Sequence, residues 1–166
     1  MTTPIIMLVL IITPWLIARG ISGAMRSDFD ARSAAAIGLS ILFMFTGIGH
    51  FAQTELMVQM IPTWVPVRVF LVYVTGILEF VIAVGFLIPK CRRFTGWAAA
   101  AILILFFPAN VHAAINHVPM GGHAWGPVYL LVRAPLQAVI LFWVYWFTIR
   151  QPGTALQADA PPAVRQ

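Results

Sequence analysis

Charged side chains are nearly absent from five long stretches of this chain, and this spacing constrains the fold more than any single motif does. Residues 33–54 hold His50 as their one ionisable group, and residues 69–89 are broken only by Glu79. Residues 94–115 carry Pro108, Asn110 and His112, and residues 127–149 are interrupted by Arg133. A shorter run, Pro4 to Ala18, precedes Arg19. The hydrocarbon core of a bilayer takes about 20 apolar residues of helix to cross. Composition agrees: 61% of residues are hydrophobic, 9% are charged, and mean hydropathy is +0.91. So few charges cannot cover a water-exposed surface, which excludes an ordinary soluble enzyme, a coiled coil and a disordered chain.

The expected fold is therefore all-α. It is a polytopic membrane protein in which helices two to five form a four-helix transmembrane bundle and helix one is a peripheral N-terminal addition. One transmembrane domain covers residues 1–150, with spans at about 4–20, 33–52, 67–88, 94–115 and 127–149. The segment 151–166 is rich in Pro, Ala and Gln and reads as a disordered cytoplasmic tail. The first span does not read as a signal peptide, since Met1-Thr2-Thr3 lacks a positive charge and Arg19 follows the apolar run. It reads as an uncleaved helix. Between spans two and three, Gln53 to Pro66 reads as a short helix or turn at the interface.

Five spans alternate the connections between two sides. Arg19, Arg26, Arg32, Lys90, Arg92, Arg93, Arg150 and Arg165 fall on one side, and Arg68 and Arg133 on the other. Basic residues concentrate on the cytoplasmic side of a membrane protein, so the N-terminus is expected outside and the C-terminus inside. The net charge of +5 is then a topology signal and a contact for lipids, not a nucleic-acid footprint. The single cysteine, Cys91, excludes an internal disulfide and a CxxC redox pair.

Ionisable groups at membrane depth are costly and need a partner or a task. Glu79 lies roughly 15–18 Å below the outer end of its helix. By helical spacing it shares a face with Arg68, Val72, Thr75 and Ala83, and Gly76 beside that face lets a neighbouring helix approach. Arg133 lies about 9 Å inside the outer end of the last span, in a stripe with Tyr129 and Gln137. Because Glu79 is the only carboxylate within the spans, an Arg133–Glu79 pair is expected, direct or through Asn110 or water. Asn110 and His117 are expected on one side of the fourth span, with Pro108 kinking it. The expected ligand-binding or core polar network is His50, Thr75, Glu79, Asn110, Arg133 and Gln137. The competing reading is a network that only locks the bundle. A second set, His112, His117 and His123 with Met57 and Met60, offers imidazole and thioether donors suited to copper or zinc. His50 and His112 form the one pair on facing helices that could ligate a haem. The plainer reading of His117 and His123 is a solvated loop.

The motifs in order are Gly47-Ile48-Gly49-His50-Phe51, Met60-Ile61-Pro62, Val65-Pro66, Tyr73-Val74-Thr75-Gly76-Ile77-Leu78-Glu79 and Phe107-Pro108-Ala109-Asn110. As a set they resemble the DoxX-like membrane proteins, over about residues 35–115 and more loosely over the last span. The resemblance implies a bacterial inner (cytoplasmic) membrane and a compact bundle, with His50, Glu79 and Asn110 on matching polar positions. Some members of that family are subunits of quinone-linked oxidoreductases and others are assembly factors. The expected function is an auxiliary subunit, not an independent enzyme, that binds a small amphipathic ligand, a quinone or a lipid, in an outward-facing polar pocket. The alternatives are a structural or assembly subunit docking a membrane or periplasmic partner, and an outer-face metal-binding protein. The inner half is expected to be apolar, through Leu39, Ile41, Leu42, Val84, Phe86 and Ile140.

The orientation is checked by cysteine accessibility in intact cells. Cys91 should react only from the cytoplasmic side, and a cysteine introduced by Gly121→Cys in a Cys91→Ser background only from outside. The opposite pattern reverses the topology.

Overall fold

With no water in the hydrocarbon core, each spanning segment must satisfy its backbone within itself, and a helix does so. The computed structural model describes residues 2–25 and 30–150. Helix α1 spans Thr2–Met25, α2 Ala31–Ala52, α3 Thr54–Met60, α4 Arg68–Leu87, α5 Arg92–Ile115 and α6 Leu130–Val144. A 3-10 segment, His123–Tyr129, leads into α6, and a π-helical turn, Tyr145–Ile149, prolongs it. No strand occurs among the described residues. Helices α1, α2, α4, α5 and the composite His123–Ile149 are long and apolar enough to cross a membrane. Helix α3 occupies the Gln53–Pro66 link, where a short helix or turn is expected. The expected tail 151–166, together with Arg26, lies outside the described residues.

The helices form a ring. Helix α2 lies between α1 and α4, α5 between α4 and α6, and α6 touches α1. The tightest seam is α2 against α4, and two glycines make it possible. A Cβ at Gly76 would stand 2.8 Å from the Cβ of His50 and 2.7 Å from the Phe51 ring, and one at Gly47 would stand 2.7 Å from the Phe80 ring. Small residues of this kind let backbones close up in lipid, where dispersion and hydrogen bonds drive association. The rings of Phe51 and Phe80 then stack at 5.6 Å on the outer side of the seam.

Helix α1 is peripheral along most of its surface, with Ile5, Val9, Leu16 and Ile17 exposed. Its other face carries Met7 and Ile11 into the central apolar cluster. That cluster fills the half of the bundle near the basic connections, with Leu39, Phe43, Ile82, Phe86, Ile140 and Val144 buried. Ile41 and Val84, in the same half, face outward from the bundle, on the flanks of their helices away from the α2–α4 seam. The outward faces are otherwise large and apolar, as a lipid solvent requires: Phe94 is 80% and Leu131 76% exposed.

Arginines tie the basic end together. Arg92 donates from Nε to the Phe86 carbonyl at the end of α4 and from Nη1 to Ser33 Oγ at the start of α2, both at 3.0 Å. Arg32 donates from Nη2 to the Arg150 carbonyl at 2.9 Å. Cations thus satisfy carbonyls that helix ends leave open. Asp30 caps α2, accepting from the backbone N–H of Arg32 at 3.0 Å and of Ser33 at 3.2 Å, and from Ser33 Oγ at 2.9 Å. Partial burial pushes the Asp30 carboxyl up. The donated hydrogen bonds and the Arg92 charge outweigh that and hold it below its ordinary value.

A carboxyl held low in the folded state stabilises the fold above its unfolded pKa, and this contribution disappears as pH falls through the lower folded value. Asp30→Ala should therefore cost about 1 kcal/mol at neutral pH. Wild type and variant should converge as pH drops below about 4. Denaturation in detergent at several pH values checks this. A gap that persists in acid would show that the cap does not act through the carboxylate.

Candidate functional site

The expected network residues lie in two clusters, while the buried hydroxyls of Ser40, Thr95 and Thr148 lie toward the basic end. The first cluster lies between α2 and α4. His50 Nδ1 stands 3.0 Å from the Val72 carbonyl oxygen and 3.0 Å from Thr75 Oγ1, and Thr75 Oγ1 donates to the same carbonyl at 2.9 Å. A carbonyl can only accept, so Nδ1 carries a hydrogen and the other ring nitrogen, Nε2, carries the lone pair when the ring is neutral. Nε2 faces Glu79 Oε1 at 3.7 Å. At that distance the imidazole and the carboxyl are neighbours within ion-pair range but not hydrogen-bonded. The second oxygen, Oε2, is buried with no hydrogen-bond partner. Glu79 itself is 9% exposed.

The second cluster joins α5, α6 and α1. Arg133 Nε donates to Asn110 Oδ1 at 2.9 Å, and Nη1 reaches the Met7 sulfur at 3.6 Å. Asn110 spends its own amide hydrogen on the Phe106 carbonyl at 3.0 Å. One turn further along α6, Gln137 donates to the Leu103 carbonyl at 2.7 Å. That carbonyl neighbours the one on Ile104 that loses its helical donor to Pro108. Nη2 of Arg133 has no partner among the described residues.

The expected Arg133–Glu79 pair does not form directly or through Asn110. Arg133 is taken by Asn110 and Glu79 faces His50, so the network divides in two. Asn110 does not bridge them, because its amide turns back to its own helix. Two surface grooves lie nearby. One, of about 690 Å³, is bordered by Val58, Thr63, Val65, Val67, Arg68 and Tyr73, and the other, of about 410 Å³, by Ile48, Phe51, Ala52 and Phe80. Neither includes the polar residues expected to line a pocket, since the Gly47–Gly76 seam holds the second groove on the lipid side of the α2–α4 contact.

The histidines of the expected metal set do not converge. Among the described residues no three His, Cys, Asp or Glu side chains form a metal-ligand group. His112 pairs with the Asn116 amide at 3.1 Å, and His117 Nδ1 meets the Ala124 carbonyl at 3.2 Å. His117 does not continue the face of Asn110, because α5 ends at Ile115 and His117 takes a left-handed φ of 52°. His123 is not a solvated loop residue. It is 4% exposed, donates from Nδ1 to the Met120 carbonyl at 2.7 Å, and meets Tyr129 edge-on at 4.8 Å. Its Nε2 is buried without a partner. Met57 and Met60 lie on α3, half-buried. The sequence reading missed Met7, since a thioether on an apolar helix carries no signal separating a core contact from a lipid contact. It also missed the Val72 carbonyl, which no side-chain pattern reveals.

Five helices long and apolar enough to cross a membrane, packed around an apolar core with polar clusters in one half, define the architecture of a multi-pass membrane protein. Over residues 39–148, about two thirds of its length, the chain matches a family described as a domain of unknown function (DUF8561), and it belongs to that family. The match encloses His50, Thr75, Glu79, Asn110, Arg133 and Gln137 and leaves α1, with Met7, outside. No curated protein and no solved structure matches the chain.

The division into two clusters predicts which residues couple. Asn110→Ala and Arg133→Gln should show an interaction energy of about 1–2 kcal/mol in a double-mutant cycle on detergent stability. Glu79→Gln combined with Arg133→Gln should show less. A larger coupling for Glu79 and Arg133 than for Asn110 and Arg133 would contradict the geometry.

Proposed function

We propose that this protein is an auxiliary membrane subunit that binds a small amphipathic molecule, a quinone or a lipid, within the bundle between the His50–Glu79 and Asn110–Arg133 clusters. The observation that carries this reading is the Glu79 carboxylate oxygen, buried at membrane depth with no hydrogen-bond partner. A buried acceptor left open costs about 1–3 kcal/mol, more when charged, so a fold that retains one has a use for it. His50 and Glu79, 3.7 Å apart, place an imidazole and a carboxyl together as acid–base groups for a bound headgroup. The resemblance to DoxX-like proteins supports the same reading, as well as a bacterial inner membrane. The excess of basic residues at one end of the bundle supports a cytoplasmic C-terminus and an outward-facing site. The ligand contacts are His50, Thr75, Glu79, Asn110 and Arg133, with Gln137 bracing α5 against α6.

A second reading, a structural or assembly subunit, is favoured by the fact that Asn110 and the Val72 carbonyl already satisfy Arg133 Nε and His50 Nδ1. Mass spectrometry of the full chain purified in mild detergent separates the two. A stoichiometric lipid or quinone should accompany the wild-type protein and fall at least tenfold in Glu79→Gln and Arg133→Gln. An empty bundle that co-purifies with a stable partner protein would establish the second reading instead.

A further inference from the structure

The two surface grooves form a series. The larger, of about 690 Å³, lies where α3 packs on α4, and Thr63, Arg68 and Tyr73 are its polar border. The smaller, of about 410 Å³, lies on the lipid side of the α2–α4 seam and is bordered by Ile48, Phe51, Ala52 and Phe80. Aromatic rings join them. Tyr73 of the first groove stands 5.6 Å from the Phe51 ring of the second, and Phe51 stacks on Phe80 at 5.6 Å. From Arg68 to Phe80 the helix rises about 18 Å. The line of rings therefore runs from the end of a crossing helix down to hydrocarbon depth.

The chemistry changes along that line. The first groove carries one cation, the half-buried Arg68, with the hydroxyls of Thr63 and Tyr73. No carboxylate among the described residues stands within salt-bridge range of Arg68. Arg32 and Arg92, at the other end of the bundle, are instead turned onto carbonyls. An uncompensated arginine at the end of a span calls for an anion at headgroup level. The second groove has no polar side chain on its border, so it offers a place only to hydrocarbon. A free phosphate would leave that second groove unfilled, and an alkane would leave Arg68 without a counter-charge. An ammonium headgroup would bring a like charge to Arg68. A molecule that joins a net negative phosphate to an acyl chain answers both grooves.

We propose that the two grooves together hold one phospholipid with a net negative headgroup, the Arg68 guanidinium donating to its phosphate and one acyl chain lying along Tyr73, Phe51 and Phe80. The planar fork of an arginine suits two phosphate oxygens at once. The hydroxyls of Thr63 and Tyr73 border the same space and add donors. Gly47 keeps the tail groove on the outside of the seam: a Cβ there would stand 2.7 Å from the Phe80 ring and displace it. This site lies on the lipid-facing surface, apart from the interior residues of the ligand-binding reading above, and stands independently of that reading.

The test uses the full chain in phosphatidylcholine nanodiscs that contain a phosphatidylglycerol with a diazirine in one acyl chain. After irradiation, peptide mapping by mass spectrometry reads where that chain sits, which separates this site from lipid held at the basic end. Labelling should concentrate on residues 48–52 and 77–80. A phosphatidylcholine with the same diazirine chain should label them about fivefold less, the effect of one basic residue beside an anionic headgroup. Arg68→Gln should erase that difference, and Arg68→Lys should keep most of it. Ala52→Trp, a change at an exposed residue that fills the smaller groove, should lower labelling by both lipids. Labelling spread evenly over the lipid-facing residues means annular lipid only and overturns the proposal. So does a phosphatidylglycerol preference that survives Arg68→Gln. Groove residues that label only after a co-purified protein is removed would assign the groove to that partner and overturn the proposal as well. The comparison of the two lipids is made on the wild-type protein, so it decides even if Arg68→Gln fails to fold.

Discussion

The structure depends on the cost of leaving a polar group unsatisfied in a medium without water. That cost makes every long segment a helix, since no other local structure closes all its backbone hydrogen bonds. It also sorts the side chains. Cations at the basic end, Arg32 and Arg92, turn onto helix-end carbonyls and onto Ser33. The few polar groups at depth turn inward and find each other, and the large apolar residues are left facing lipid. The bundle inverts the usual protein, with its polarity inside at one end and its apolar packing shared between core and solvent.

Within that constraint, the close α2–α4 seam organises the site. Gly47 and Gly76 bring the two backbones together, and this approach sets His50 against the Val72 carbonyl and Glu79. The carbonyl orients the imidazole so that Nε2 faces Glu79 Oε1 at 3.7 Å, while Glu79 Oε2 stays buried without a partner. A backbone contact thus sets which edge of the histidine the glutamate meets. On the opposite side of the interior, Asn110 holds the Arg133 guanidinium by one edge, so that the cation is positioned without being neutralised.

Much of this was legible in the residues. The spacing of charges located the five crossing helices, and the faces of α2 and α4 followed from helical period, with Val72, Thr75, Gly76 and Glu79 all buried as one stripe. The pairing was not legible. Charge alone joined Arg133 to Glu79, because opposite charges in lipid should meet. The helices instead place an amide beside the arginine and an imidazole beside the glutamate. His117 and His123 separate for a local reason: α5 ends at Ile115, and the loop folds one imidazole under Tyr129 while leaving the other exposed.

The sequence by itself determined that the chain is a helical membrane bundle, which end is basic, and which residues are too polar to face lipid. Those properties follow from composition and period, and transfer free energy acts on them locally. Only the tertiary structure decided which of those polar residues touch. The rotation of each helix about its axis and the closeness of each seam depend on packing against residues far away in the chain. A turn of a fraction of a helix moves a guanidinium from a carboxylate to an amide. Met7 shows the same limit, since nothing in its own apolar segment distinguishes it, and its place beside Arg133 exists only because α1 closes the ring against α6.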